Sequence, residues 1–265
     1  RAIGEPGARF EEDKLRMIRA VRFAATLGFR IAPATFSAIQ KMATEVMIVS
    51  AERIGNELKR LSIHPKRRQR IHPLYETNLL RPLMPSLAEW AASEDKRWHQ
   101  TLAVLERLKT DNISTALAAL FVELRDVRLA QKLARQLRYS NKEVGVVGWL
   151  LESVPIMEQA AEIPWPRLQR VLAQENASEL LLLGLALWGE EHSGVQTCLQ
   201  RLQWPPEQLD PPPLLTGDDL VAHGLQPGRQ FASLLELVRD AQLEGTISNR
   251  EEALQQVDQW LKSHS

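Results

Sequence analysis

An aspartate and three arginines recur at three-residue intervals near the start of the chain: Asp13, Arg16, Arg19 and Arg22. On a helix turning about 100° per residue the three guanidiniums share an arc of about 120°, and Met17, Ile18, Val21, Ala24 and Ala25 fill the opposite side. Asp13 falls at the border of the apolar arc beside Arg16, so a carboxylate acceptor and a fork of donors point into one space. Cytosine and adenine both present an exocyclic amino donor beside an unprotonated ring nitrogen; guanine and uracil present a carbonyl beside a ring N–H. Asp13 accepting from the amino group and Arg16 donating to the ring nitrogen would therefore select C and A, because a wrong base leaves buried polar groups unpaired. Arg19 and Arg22, one and two turns further on, are placed to meet a triphosphate. The same spacing also fits an amphipathic helix with a solvated arginine face and an i,i+3 ion pair worth about 0.2–0.5 kcal/mol.

The elements that must position these groups read as helices throughout. Residues 1–10, punctuated by Gly and Pro, predict a loop, and the arginine helix runs from Glu11 to about Leu27, where Gly28 stops it. Pro33 and Thr35 open a second helix to about Glu45, and Ser50 caps a third over 51–61. Glu52, Arg53 and Glu57 on that third helix read as scaffold charges. The densest basic run, His64 to Pro73, offers Lys66, Arg67, Arg68 and Arg70 to RNA phosphates, with a solvated basic turn as the other reading. Further helices are predicted over 97–108, 114–124, 127–137, 142–151, 163–173 and 177–189, with Trp165 and Trp188 in the core. Trp204 to Pro213 reads as a proline-rich linker. Beyond it, helices over 230–243 and 250–261 follow, the second with a Ser248–Glu251 capping box, and Asp218 and Asp219 read as the acidic start of a short helix rather than a metal site.

The chain has 265 residues with 33 Lys plus Arg against 33 Asp plus Glu. A globally basic nucleic-acid binder is excluded, and any contact with a polyanion must come from local patches. The single cysteine, Cys198, forms no internal disulfide and reads as a core residue suited to a reducing compartment. With no membrane-length apolar run and no signal peptide, the reading is cytoplasmic, with no membrane partner.

The run from Arg1 to Phe29 resembles the class II tRNA nucleotidyltransferases (CCA-adding enzymes) and their bacterial poly(A) polymerase relatives. It carries their Glu-Asp-x-x-Arg motif at Glu12, Asp13 and Arg16, followed by Arg19, Arg22 and Gly28-Phe29. The resemblance extends to Val49–Leu58 and to Leu214–Arg229. It implies that Asp13 and Arg16 template CTP and ATP, that Arg19 and Arg22 help bind the nucleotide, and that tRNA is the partner. The implied reaction joins the α-phosphate of CTP or ATP to the tRNA 3′-hydroxyl and expels pyrophosphate, with magnesium held by a catalytic head domain. The family's Gly-Gly and Asp-x-Asp motifs are not in this sequence. The expectation is a C-terminal neck, body and tail (1–62, 63–203 and 204–265), all-α, with the N-terminal catalytic head missing, no catalytic residue here and no activity alone.

The stretch Trp98 to Leu105 is similar to the start of the HD-type metal-dependent phosphohydrolase domain of some relatives. Val122-Glu123 then stands where that domain needs His-Asp. Valine ligates no metal and His99 alone holds none, so the body reads as a degenerate HD domain with His99 packed beside Trp98 and no metal site. A poly(A) polymerase and an enzyme adding only C or only A share these features, and a non-catalytic RNA-binding helical protein is the reading of another class.

Overall fold

A computed structural model describes residues 4–63 and 66–263. Among them the chain forms eighteen α-helices and no strand, an all-α protein as expected. The first segment differs from the expected single helix. Pro6, whose ring presets the backbone of a first turn, opens α1 (Pro6–Glu12), and Glu5 caps it by accepting the Ala8 N–H at 3.0 Å. Asp13 is extended (φ −156°, ψ 107°), and α2 begins at Arg16 and ends at Leu27. The break has a local cause: the Asp13 carboxylate accepts the Leu15 N–H at 3.1 Å, competing with helical backbone. Met17, Ile18 and Val21 are completely buried, and Gly28 takes the left-handed φ of +68° that ends α2.

Next come α3 (Pro33–Met42), a 3-10 segment Ala43–Ile48, and α4 (Ala51–Ser62), capped by Ser50. The basic run is not a turn. From Arg67 it forms α5 (Arg67–Glu76), with Pro73 inside the helix; His64 and Pro65 lie outside the described residues. Then follow α6 (Leu80–Leu83), α7 (Pro85–Ser93), α8 (Asp95–Arg107), α9 (Ile113–Phe121), the 3-10 turn Val122–Leu124, and α10 (Val127–Gln136). The 18-residue α11 (Asn141–Glu158) starts with a complete Ser140–Glu143 capping box, and α12 (Trp165–Leu172), α13 (Ala177–Trp188) and α14 (Ser193–Arg201) complete this part. No helix is long and apolar enough to cross a membrane among the described residues.

One apolar cluster runs from Phe10 to Cys198 and includes the completely buried Trp98 and Phe121; a smaller one joins Leu215 to Val257. Trp165 and Trp188 pack at the edge of the first, half-buried, not within it. The proline stretch between the clusters carries α15 (Pro206–Leu209) and is pinned along its length. Buried Gln169 donates to Leu209 O at 3.1 Å and Asp210 Oδ1 at 2.8 Å, and Arg239 donates to Pro211 O at 2.6 Å. The last helices are α16 (Gly217–Ala222), α17 (Gln230–Glu244) and α18 (Arg250–Ser263). At α18 the cap lies one residue later than expected: Asn249 accepts the Glu252 N–H at 3.0 Å, and Glu252 accepts the Ser248 N–H at 2.6 Å.

Candidate functional site

The break before α2 changes how the four motif residues meet. Asp13 is bonded not to Arg16 but to Arg53 of α4, whose Nη2 donates to Asp13 Oδ2 at 2.9 Å. Partial burial works to raise the Asp13 carboxyl, but the Leu15 N–H and the Arg53 guanidinium outweigh it and hold the group below its ordinary value. Arg16 donates through Nη1 to Arg9 O at 3.0 Å and to the Glu12 carboxylate, which stays below its usual range because Arg16 and then Arg9 bond to it. Each member of the expected base-reading pair is thus held by its own partner. An Asp oxygen accepts more than one donor and a guanidinium carries five N–H groups, so both retain bonding capacity.

Arg19 and Arg22 converge on one carboxylate. Their Nε atoms donate to Glu57 Oε1 and Oε2 at 3.1 and 2.7 Å, and Glu57 is only 3% exposed. Using Nε leaves the outer Nη groups of both forks without a partner among the described residues. A buried carboxylate gripping two guanidiniums is a rigid mount for both, Arg19 with its side chain 42% exposed and Arg22, stacked on the Phe23 ring, with 16%. Arg53 and Glu57, which read as scaffold charges in the sequence, stand four residues apart on α4, one turn along the face opposite α2, and that spacing is the signal that they serve the arginine cluster.

Arg16 and Arg19 also line a cleft of about 640 Å³ with Arg9, Arg30, Phe23 and Phe29. Phe23 and Phe29 are 50% and 68% exposed, and buried Thr35 lines the same cleft with a hydroxyl that has no hydrogen-bond partner. Guanidiniums, aromatic faces and an unused hydroxyl together suit a ligand with a planar ring and an anionic group.

The basic run behaves differently from expectation. Arg67, 2% exposed, donates through Nε to Ser62 O at 2.6 Å, through Nη1 to Leu108 O at 2.7 Å, and to Thr110 O. Arg70, also buried, donates to Arg60 O at 3.0 Å and to Thr26 Oγ1 at 2.8 Å. Burial pulls both guanidiniums below their usual values. These two tie loop carbonyls into the fold, which corrects their reading as phosphate contacts. Arg68 is half-buried and paired with Glu106 at 2.9 Å; Lys66 is exposed.

At the position of the degenerate phosphohydrolase pair, Glu123 is held by Arg97 at 2.8 Å. His99 does not pack beside Trp98: neighbours on a helix point different ways, and its half-exposed ring faces His72 of α5 at 5.8 Å. Asp219 is taken up by the Thr216 capping box and by Arg250 at 2.7 Å. No three His, Cys, Asp or Glu side chains converge to hold a metal ion among the described residues.

Residues 28–91 match a family model described as "Probable RNA and SrmB- binding site of polymerase A". The CCA-adding enzyme of Lacticaseibacillus paracasei is 28% identical over 250 residues, covering 94% of this chain and 59% of the relative. That of Geobacillus stearothermophilus is 37% identical over 112 residues, covering 37% and 28% of the two chains. The chain is similar to CCA-adding enzymes over nearly all of its length. It spans about three-fifths of the length of the CCA-adding relatives it matches over most of its own. The fold is similar as well: the crystal structure of the Bacillus stearothermophilus CCA-adding enzyme in complex with CTP superposes with a TM-score of 0.74 at 24% identity, over all of this chain and 66% of that one. A Thermotoga maritima CCA-adding enzyme complexed with tRNA superposes with a TM-score of 0.58.

Proposed function

We propose that this chain is the nucleotide-selecting and RNA-holding part of a tRNA nucleotidyltransferase that adds C and A to the tRNA 3′ end from CTP and ATP. The observation that carries the proposal is the arginine cluster on α2: Arg19 and Arg22 mounted at Nε on buried Glu57, beside an Asp13 carboxylate fixed by Arg53. Asp13 and Arg16 read the base edge, and the outer N–H groups of Arg19 and Arg22 meet the phosphates. Exposed Phe23 and Phe29 beside Arg16 and Arg19 support a planar ligand in the adjoining cleft.

The proposed units are a neck at 1–62, a body at 63–203 and a tail at 204–265. The carboxylates that hold magnesium belong to a catalytic head outside this chain, so the chain alone is inactive. RNA contact from the basic run narrows to Lys66 and Arg68.

The deciding assay uses the complete protein with magnesium and a tRNA ending just before CCA, supplied with CTP, ATP, both, GTP or UTP. The expected result is CCA addition with GTP and UTP rejected, and loss of that choice in Asp13→Ala and Arg16→Ala. Normal nucleotide choice and rate in both variants would overturn the templating assignment. Long A-tails on unrelated RNA would assign the chain to a poly(A) polymerase, and RNA binding without incorporation to a non-catalytic protein.

A further inference from the structure

A one-sided run of charge lies outside both the arginine cluster and the basic run, on α10 and the turn after it. Arg128, Lys132 and Arg135 stand at i, i+4 and i+7, within an arc of about 60° on a helix and along about 10 Å of its axis. Arg138 lies in the turn after α10 and Lys142 in the first turn of α11. All five are exposed, and none has an ionic or hydrogen-bonded partner among the described residues. That is unusual in a chain whose 33 basic and 33 acidic residues cancel. The nearby acids are engaged: Asp126 caps α10 by accepting the Leu129 N–H at 2.9 Å, and Glu143 is bonded to Lys59 at 2.8 Å and to the Ser140 N–H at 2.6 Å.

A second observation points the same way. Arg138 has a left-handed φ of +59°, at the position after a helix where glycine relieves the strain. It follows Leu137, whose carbonyl lies only 2.2 Å from where a Cβ on Gly55 would stand. So α10 ends directly against α4, the helix that carries Arg53 and Glu57.

We infer that this ridge, Arg128, Lys132, Arg135, Arg138 and Lys142, is the surface that holds the phosphate backbone of double-helical RNA. The inference rests on the RNA reading above and gives it a face. A membrane surface is a poorer match, because the apolar residues of α10, Ala130, Leu133 and Ala134, are all buried in the body and leave nothing to insert. A protein partner fits less well too, since protein interfaces centre on aromatic and apolar groups and the ridge exposes none. Spaced cations without local counter-charges suit a polyanion whose condensed counterions are released on contact.

The test measures binding of the 265-residue chain to a labelled RNA hairpin duplex by fluorescence anisotropy across a salt series. The variants are Arg128→Gln/Lys132→Gln/Arg135→Gln, single Arg135→Gln in case the triple variant folds poorly, and Lys41→Gln as a distant control. The triple variant is expected to lose about tenfold to a hundredfold in affinity and just under three from the salt slope, the single variant just under one from the slope, and the control nothing. Wild-type affinity and slope in folded ridge variants would overturn the ridge while leaving RNA binding standing. No RNA binding by the wild-type chain would overturn both readings. Binding to phosphatidylserine vesicles with RNA affinity unaffected by the substitutions would assign the ridge to a membrane instead.

Discussion

Two basic segments of this protein have opposite fates. The run in α5 packs arginines at positions 67, 68 and 70, and two of the three are buried against backbone carbonyls. Contiguous residues on a helix point all round it, so a dense cluster must send some members inward. The ridge on α10 spreads its cations at intervals of four and three, and every one faces solvent. For a polyanion, spacing along one face matters more than local density. A buried guanidinium is a multi-pronged hydrogen-bond donor for the fold, whereas an exposed one without a counter-ion is available charge.

The sharpest way to break this comparison is to truncate each arginine of the run in turn. Arg67→Ala leaves three carbonyls without their donor in a buried place, and is expected to cost about 3–4 kcal/mol of stability; Arg70→Ala, which frees two acceptors, costs about 2 kcal/mol. Arg68→Ala removes only an exposed pair and should lie within about 0.5 kcal/mol of wild type. Denaturant midpoints at constant slope measure all three. Equal and small losses would mean the run is surface charge after all, and its separation from the α10 ridge would disappear.

Much of this fold was legible in the sequence because its helices are signalled locally. Ser50 caps α4 where expected, Gly28 ends α2, and the apolar arc of Met17, Ile18 and Val21 is the buried one. The break at Asp13 was not legible from periodicity, because both sides of it remain helical and a carboxylate competing for the Leu15 N–H leaves no trace in an apolar pattern. Nor were the partners of the motif residues: Arg53 and Glu57 lie 40 and 35–38 residues from the groups they hold. Burial of Arg67 likewise depends on the carbonyls of Leu108 and Thr110, more than 40 residues away. Local chemistry announces itself in the sequence, whereas pairing between distant helices does not.

The arginine cluster sharpens the comparison from a third side, since its cations are neither sunk nor bare but mounted. In the complete protein, Asp13→Ala and Arg16→Ala should each weaken discrimination against GTP and UTP by about a hundredfold, read as the ratio of kcat/KM values. Arg53→Ala should reproduce a smaller part of the Asp13 loss, because it removes only the clamp on Oδ2 and leaves the Leu15 N–H in place. An Arg53 variant with unaltered selectivity would reduce that contact to scaffold.

Titration tests the mounted cluster by itself. The folded Asp13 carboxyl lies below its ordinary 3.8, so its contribution to stability is complete at pH values above the unfolded value and is lost as pH falls through the folded one. Asp13→Asn should therefore flatten the acid limb of stability below about pH 4 and change little at neutrality. An Asp13→Asn acid limb identical to wild type would contradict this assignment.

The smallest effect is the most discriminating, because it asks stability and binding to move in opposite directions. Arg138 occupies a left-handed conformation that costs an L residue about 1–2 kcal/mol, and glycine there avoids the steric cost while giving back about 0.5–1 kcal/mol in chain entropy. The bond from Tyr139 N–H to Ala134 O at 3.2 Å is backbone to backbone and survives the change. Arg138→Gly is therefore expected to raise stability by about 0.5–1 kcal/mol while lowering RNA affinity a few-fold and the salt slope by just under one. A variant that gains stability and keeps its affinity would show that the arginine is there for no phosphate, and would shorten the ridge to α10 and Lys142. One that loses on both counts would place the Arg138 side chain in the packing of α10 against α4, on the same footing as Arg67 in the buried run.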